Sequence, residues 1–174
     1  PICHSFIESA EALGFAPTSD FNGNHPEGVG IYQINTRGGW RASTANAFLH
    51  PALKRANLKL QTKAQASRIL FEGKRAVGVE YSTRGAIKQV RARREVILSG
   101  GAVNSPHLLQ ISGIGPASVI KNIGLDVFHE LPGVGENFRD HYTVRFVNRA
   151  KGVVTMNEMS RGPRLLGQIA RWAL

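Results

Sequence analysis

Between residues 58 and 98 an apolar period of two is interrupted by two short turns, and this pattern restricts the fold more than any other feature of the chain. Leu58, Leu60 and Thr62 alternate, as do Val77, Val79 and Tyr81, while Val96-Ile97-Leu98 is a compact apolar run. Side chains of a strand point to opposite faces in turn, so alternation of this kind marks strands with one covered face. Glu72-Gly73-Lys74 and Thr83-Arg84-Gly85 have the length and residue types of hairpin connections. The expectation is a small antiparallel meander whose open face carries Lys88, Arg91, Arg93 and Arg94. The basic run from Arg91 to Arg94 lacks the interleaved aromatics of a nucleic-acid stacking platform, which makes it a solvated strand face.

Directly after Leu98 the chain reads Ser99-Gly100-Gly101-Ala102, too small and flexible for a packed strand, followed by Asn104-Ser105-Pro106. A cap residue, a proline in the first turn and Gly113 as stop specify a short helix from about residue 105. Strand, glycine turn and helix N-terminus in this order bring bare backbone against a flat or anionic ligand. Spacing alone serves that purpose and plain strand-to-helix packing equally well.

Elsewhere, Phe6, Ile7, Ala10 and Leu13 share one face of a helix over His4–Leu13, with Gly14 at the cap. Residues 18–39 read as loops with one strand, and Ser43 caps a short helix that Pro51 ends. A second short helix runs from Pro116 towards Lys121 and stops near Gly124. Val127-Phe128 is expected as a strand leading into the rigid, glycine-rich turn Leu131-Pro132-Gly133-Val134-Gly135-Glu136-Asn137.

Several chemistries are excluded. Three Gly-x-Gly pairs, at Gly28, Gly113 and Gly133, each lack the third glycine of a dinucleotide fingerprint, because Gln33, Ser118 and Phe138 stand there. The six histidines show no metal-ligand spacing, and there is no Gly-x-Ser-x-Gly elbow of a hydrolase. One cysteine, Cys3, excludes zinc ribbons and internal disulfides and fits a reducing compartment. The expected location is the cytoplasm, with peripheral attachment to the inner membrane as the alternative. No run approaches the roughly 18 to 20 apolar residues of a membrane span. Asp140-His141 after the glycine-rich loop suits capping or positioning better than an acid/base pair, since sequence neighbours usually point apart.

Net charge is +10 over 174 residues, yet it is unevenly spread. Residues 1–36 hold four acids and no Lys or Arg, so all 22 basic residues and the other eight acids fall later, a balance of +14. Such a balance favours anionic partners, unless acids of a larger protein compensate it. The chain opens on Pro1 rather than methionine and closes at Leu174 inside an apolar helical pattern (Leu165, Leu166, Ile169, Trp172, Ala173), so it is read as a piece of something longer.

One stretch decides between these readings. Gly101-Ala102-Val103-Asn104-Ser105-Pro106-His107-Leu108-Leu109-Gln110-Ile111-Ser112-Gly113-Ile114-Gly115 resembles, position by position, the second signature of the glucose-methanol-choline (GMC) oxidoreductases. Gly38-Gly39-Trp40-Arg41-Ala42-Ser43, Arg75-Ala76-Val77-Gly78-Val79-Glu80-Tyr81, Arg94-Glu95-Val96-Ile97-Leu98, the 131–137 turn and Asp140-His141 are similar to the same family, most of all to its choline dehydrogenases. The likeness covers roughly residues 5–142.

The resemblance implies an α/β architecture, a mixed α+β piece of an FAD-binding domain with its β-meander and edges of the substrate domain. It assigns 1–42 to the start of the substrate region, 43–142 to the FAD-binding portion and 143–174 to the return into the substrate domain. It implies FAD as cofactor, a primary alcohol as small-molecule substrate, an electron acceptor other than oxygen, and no nucleic acid. The family's pyrophosphate loop and catalytic histidine pair match nothing here, so no catalytic residue is assigned. The cofactor-facing residues carried over are Ala66, where the family usually has Val, then Ser99, Gly100 and Gly101 beneath the adenosine part of FAD, and Asp140 and His141 towards the isoalloxazine. On this view the chain alone is inactive, and its uncovered sheet edges invite a homo-oligomer. The rival readings are a basic binding module and a purely structural piece.

Overall fold

The computed structural model describes residues 2–173; Pro1 and the terminal Leu174 lie outside them. In chain order the elements are α1 (Ile2–Ala12), β1 (Thr36–Arg37), β2 (Trp40–Arg41), a π-turn at Ala45–Leu49 continuing into α2 (His50–Ala52), β3 (Gln65–Glu72), β4 (Arg75–Thr83) and β5 (Ala86–Arg91). There follow α3 (Gly101–Ile111), β6 (Ile114–Gly115), α4 (Ala117–Asn122), β7 (His129–Glu130), α5 (Met156–Met159) and α6 (Gly162–Ala173). The mix of helices and strands is the expected α/β class. Among the described residues no helix is long and apolar enough to cross a membrane.

The chain divides into two compact units, residues 1–59 with 150–174, and residues 60–149. In the first, α1 ends at Ala12 ahead of Gly14 in the left-handed region (φ +92), as its sequence indicates. Residues 18–39 contribute Val29, which bridges to Pro17, and the strand β1, which pairs antiparallel with β2. Ser43 accepts a hydrogen bond from the Asn46 N–H (3.3 Å) at the start of the π-turn. Pro51 does not stop the helix there but sits within α2. The wide π-turn before it relaxes the four-residue bonding pattern that a proline ring otherwise disrupts. Later in the chain Thr155 and Glu158 cap α5 reciprocally, and the Trp40 and Trp172 rings meet edge to face at 4.8 Å.

The second unit is built on the meander. β3, β4 and β5 form an antiparallel sheet in sequence order, with Glu72 opposite Arg75 at one turn and Thr83 opposite Ala86 at the other. Both hairpins therefore fall at the two turn signals. The strand begins at Gln65, not at Leu58, and residues 58–62 are irregular. Residues 96–98 are likewise extended without a ladder, and the β7 strand lies two residues beyond Val127-Phe128. The common cause is that a strand exists only where a partner supplies hydrogen bonds, and partners are set at long range. β7 pairs in parallel with β6 because the Gly113 carbonyl accepts from both the Phe128 and His129 N–H groups.

The core of this unit is small. Ile69 of β3, Val77 of β4, Ile120 of α4 and Val134 of the 131–137 turn are its buried apolar side chains, and only Ile120 is fully enclosed. α3 packs against β3 and β6, while Phe71 and Phe128 stack at 4.4 Å between ring centres. Helix α3 starts at Gly101, earlier than its cap signal suggests, and Pro106 lies inside it. The reason is local: the Ser105 hydroxyl reaches back to accept from the Gly100 N–H (3.0 Å), which satisfies a donor ahead of the first turn.

Candidate functional site

Where the meander meets the N-terminal half of α3 there is a cavity of about 330 Å³. Gln65 and Ala66 of β3 form one wall, the stretch 96–100 another, and Asn104, Ser105 and Leu108 of α3 a third. Periodicity explains the third wall, since residues three and four apart on a helix share a face. Three separate parts of the sequence thus converge on one hollow.

Among the candidate residues, Ala66, Ser99 and Gly100 all line this cavity. Gly101 adjoins it as the first residue of α3. Its φ is +82, and a β-carbon built there would meet no atom within 4 Å. Space is therefore open above Gly101, and only glycine takes this backbone conformation without strain. Ala66 is half-buried and precedes a bulge in the β3–β4 register, between Ala66 and Arg68. Because β3 is an edge strand, one row of its backbone groups is not used by β4. Small side chains, free edge backbone and a helix start with its unpaired N–H groups suit a flat heterocycle carrying hydrogen-bonding edges.

Asp140 and His141 are not brought to this cavity. Both are exposed, and Asp140 accepts the His141 backbone N–H at 2.7 Å, a contact between neighbours. The loop before them is anchored instead: the Gln110 side-chain amide donates to the Val134 carbonyl at 3.1 Å.

A residue that sequence reasoning did not single out holds the cavity's frame. The Ser112 hydroxyl accepts the Ile69 backbone N–H (2.9 Å) and donates to the Leu108 carbonyl (2.6 Å). It ties β3 to the C-terminal end of α3 across 43 residues of sequence, a separation that no local signal spans. Asn104 and Leu108, also unassigned, were legible in principle once the helix was started at Gly101.

On the sheet, the Glu80 carboxylate is drawn below the ordinary glutamate value by hydrogen bonds from Arg68 and Gln89, with a smaller one from Ser67. These bonds join β3, β4 and β5, and none of the four residues lines the cavity. Among the described residues no cluster of His, Cys, Asp and Glu could hold a metal ion.

Residues 1–143 match the GMC oxidoreductase family model. The chain belongs to the GMC oxidoreductase family. It is 45% identical over 156 residues, 90% of its length, to a protein of Brucella anthropi named oxygen-dependent choline dehydrogenase, of which it covers 28%. It is 44% identical over 161 residues, 92% of its length, to the human protein named choline dehydrogenase, mitochondrial, covering 27% of it. The crystal structure of pyridoxine 4-oxidase from Mesorbium loti superimposes with a TM-score of 0.70 at 33% identity, over 76% of this chain and 26% of that one. Formate oxidase superimposes with a TM-score of 0.73 over 99% of this chain and 30% of that one, and at 20% identity this likeness concerns the fold alone. This GMC chain thus spans under a third of the length of the curated relatives it matches.

Proposed function

We propose that this GMC chain forms the adenosine-facing part of an FAD-dependent oxidoreductase that oxidises a primary alcohol, choline or a similar one, to the aldehyde. The convergence of Ala66, Ser99 and Gly100 on one cavity carries the proposal. Its volume of about 330 Å³ lies at the lower end of small-molecule sites, which suits one portion of a large cofactor rather than the whole of it. When bound, FAD supplies the hydride-accepting chemistry that no side chain provides.

The chain's own part is binding and orientation. The Ala66 edge of β3 offers backbone to a heterocycle, while Ser99, Gly100 and Gly101 keep the approach clear of side chains. Asp140 and His141 are proposed as positioning groups towards the flavin ring, with no proton transfer assigned to them. The family-domain division at residues 42 and 142 belongs to the same proposal, as does a place in the cytoplasm.

The test is Ser99→Trp, introduced into the complete enzyme that this reading implies. Ser99 is exposed, so an indole there enters the cavity without disturbing the core. FAD affinity, followed by flavin fluorescence during titration of the apoprotein, is expected to fall at least about tenfold, roughly 1.4 kcal/mol. The melting temperature of the apoprotein stays unchanged. Unaltered FAD affinity in a variant that folds refutes this placement of the cofactor.

A further inference from the structure

At the turn joining β4 to β5 a second depression, of about 560 Å³, shares no residue with the cavity at Ala66. Thr62 and Lys63 line it from the segment before β3, and Thr83, Arg84 and Lys88 line it from the hairpin. The lining carries three cations and two hydroxyls but no carboxylate. The two acids of the sheet are engaged elsewhere, Glu80 with Arg68 and Glu72 with Arg91. Among the described residues, therefore, no ion pair neutralises Lys63, Arg84 or Lys88.

Backbone conformation points the same way. Among the described residues, Lys63 (φ +53) and Arg84 (φ +50) are two of the three non-glycine residues that adopt the left-handed region. A β-carbon is disfavoured there and glycine is the usual occupant, as at Gly85 in the same turn. Two turn positions that glycine would fill without strain carry long cations instead, and both open on this depression. At Arg84 the two-residue hairpin between Thr83 and Ala86 requires this conformation, whereas Lys63 adopts it outside any hairpin. Thr83, next to Arg84, is 9% exposed, the buried polar residue among those described. Thr83 lines the depression as well, and its hydroxyl enters no side-chain hydrogen bond of the sheet, although no fully buried side-chain oxygen among the described residues lacks a partner.

We propose that this depression binds a phosphate-bearing anion, with Lys63, Arg84 and Lys88 supplying charge and the Thr62 and Thr83 hydroxyls donating to its oxygens. Convergent ammonium, guanidinium and hydroxyl donors match the several acceptors of a phosphate group. The volume admits one or two such groups with an organic remainder. A soluble phosphate ester and a phospholipid headgroup present the same chemistry, and the proposal does not rest on the flavin reading.

Isothermal titration of the full 174-residue chain with sodium pyrophosphate, at constant ionic strength, tests it. A parallel arm measures uptake by phosphatidylcholine vesicles with and without phosphatidic acid. Saturable binding is expected to weaken at least about tenfold in the double variant Lys63→Gly, Arg84→Gly, which removes both cations while relieving the backbone. Lys74→Gln, which removes one positive charge at the other hairpin, is expected to change it less than about twofold. If circular dichroism shows the double variant unfolded, Lys88→Gln alone carries the comparison, with the same direction expected. Binding of pyrophosphate that depends on these residues identifies a soluble ligand class, and residue-dependent binding confined to the acidic vesicles identifies a lipid headgroup. Absence of saturable binding in both arms, or equal loss in Lys74→Gln, overturns the proposal.

Discussion

Ser112→Ala tests how this GMC chain holds open the cavity lined by Ala66, Ser99 and Gly100. The hydroxyl is the only side-chain partner of the Ile69 N–H, at 2.9 Å, and Ile69 is 7% exposed. Replacing the serine hydroxymethyl by a methyl group removes the acceptor and leaves unpaired the N–H of a residue that is itself buried. Leaving such a donor unpaired costs about 1–3 kcal/mol, against about 0.5–1.5 kcal/mol for an ordinary hydrogen bond given up to solvent. The Leu108 carbonyl loses its 2.6 Å donor as well, which places the expectation in the upper half of the first range. Urea denaturation of the 174-residue chain should show a lower midpoint at unchanged slope. Native-state hydrogen exchange at the Ile69 amide should quicken by more than global destabilisation accounts for. A variant within about 0.5 kcal/mol of the parent, with Ile69 exchange unaltered, refutes the claim that this hydroxyl pins β3 to α3.

Three further outcomes follow from the same geometry. Gly78→Ala places a β-carbon 2.4 Å from the Val90 carbonyl oxygen, so β5 must shift and thermal unfolding should show a loss of about 1–3 kcal/mol. The Glu80 carboxyl is held below its ordinary value of 4.5 in the folded chain, so the unfolded state binds more protons as pH falls. The stabilisation is complete above 4.5 and is lost as pH drops through the depressed value; Glu80→Gln should flatten this acid limb in melting temperature measured against pH. Gln110→Ala frees the Val134 carbonyl and should raise hydrogen exchange in the 131–137 turn while leaving the meander protected.

Both hairpins were legible because a turn residue and its flanking alternation are local: Gly73 and Gly85 sit between strands that pair with their immediate successors. The helix stop at Gly113 and the short helix after Pro116 were legible for the same reason. Residues 58–62 and 96–98 carry the apolar character of strands and yet form none, since no described segment offers them a ladder. The start of α3 lies ahead of its sequence signal because Ser105 caps backward onto the Gly100 N–H, whereas Ser-Pro ordinarily marks a forward cap. At the site, Ser99, Gly100 and Gly101 betray themselves by smallness. Ala66 does not, since alanine in a strand carries no chemical mark, and it entered only through resemblance to the family.

The two contacts at the far end of α3 explain why a single helix can define the cavity of a unit whose buried core is so small. Its N-terminus faces the hollow, and its C-terminal turn is fixed twice, through Ser112 to β3 and through Gln110 to the 131–137 turn. A rod held at one end against two separate elements cannot tilt without breaking a hydrogen bond to one of them. The separation between Ala66 on β3 and Gly100 before α3 is therefore set by polar bonds of definite length more than by apolar contact, which tolerates sliding. The turn's last backbone bond runs from the Glu136 N–H to the Gly133 carbonyl, and every residue from Phe138 to Arg149 is exposed. The adenosine-facing part of the proposed site is accordingly preorganised within residues 60–149, whereas Asp140 and His141 are exposed and share only the bond between neighbours.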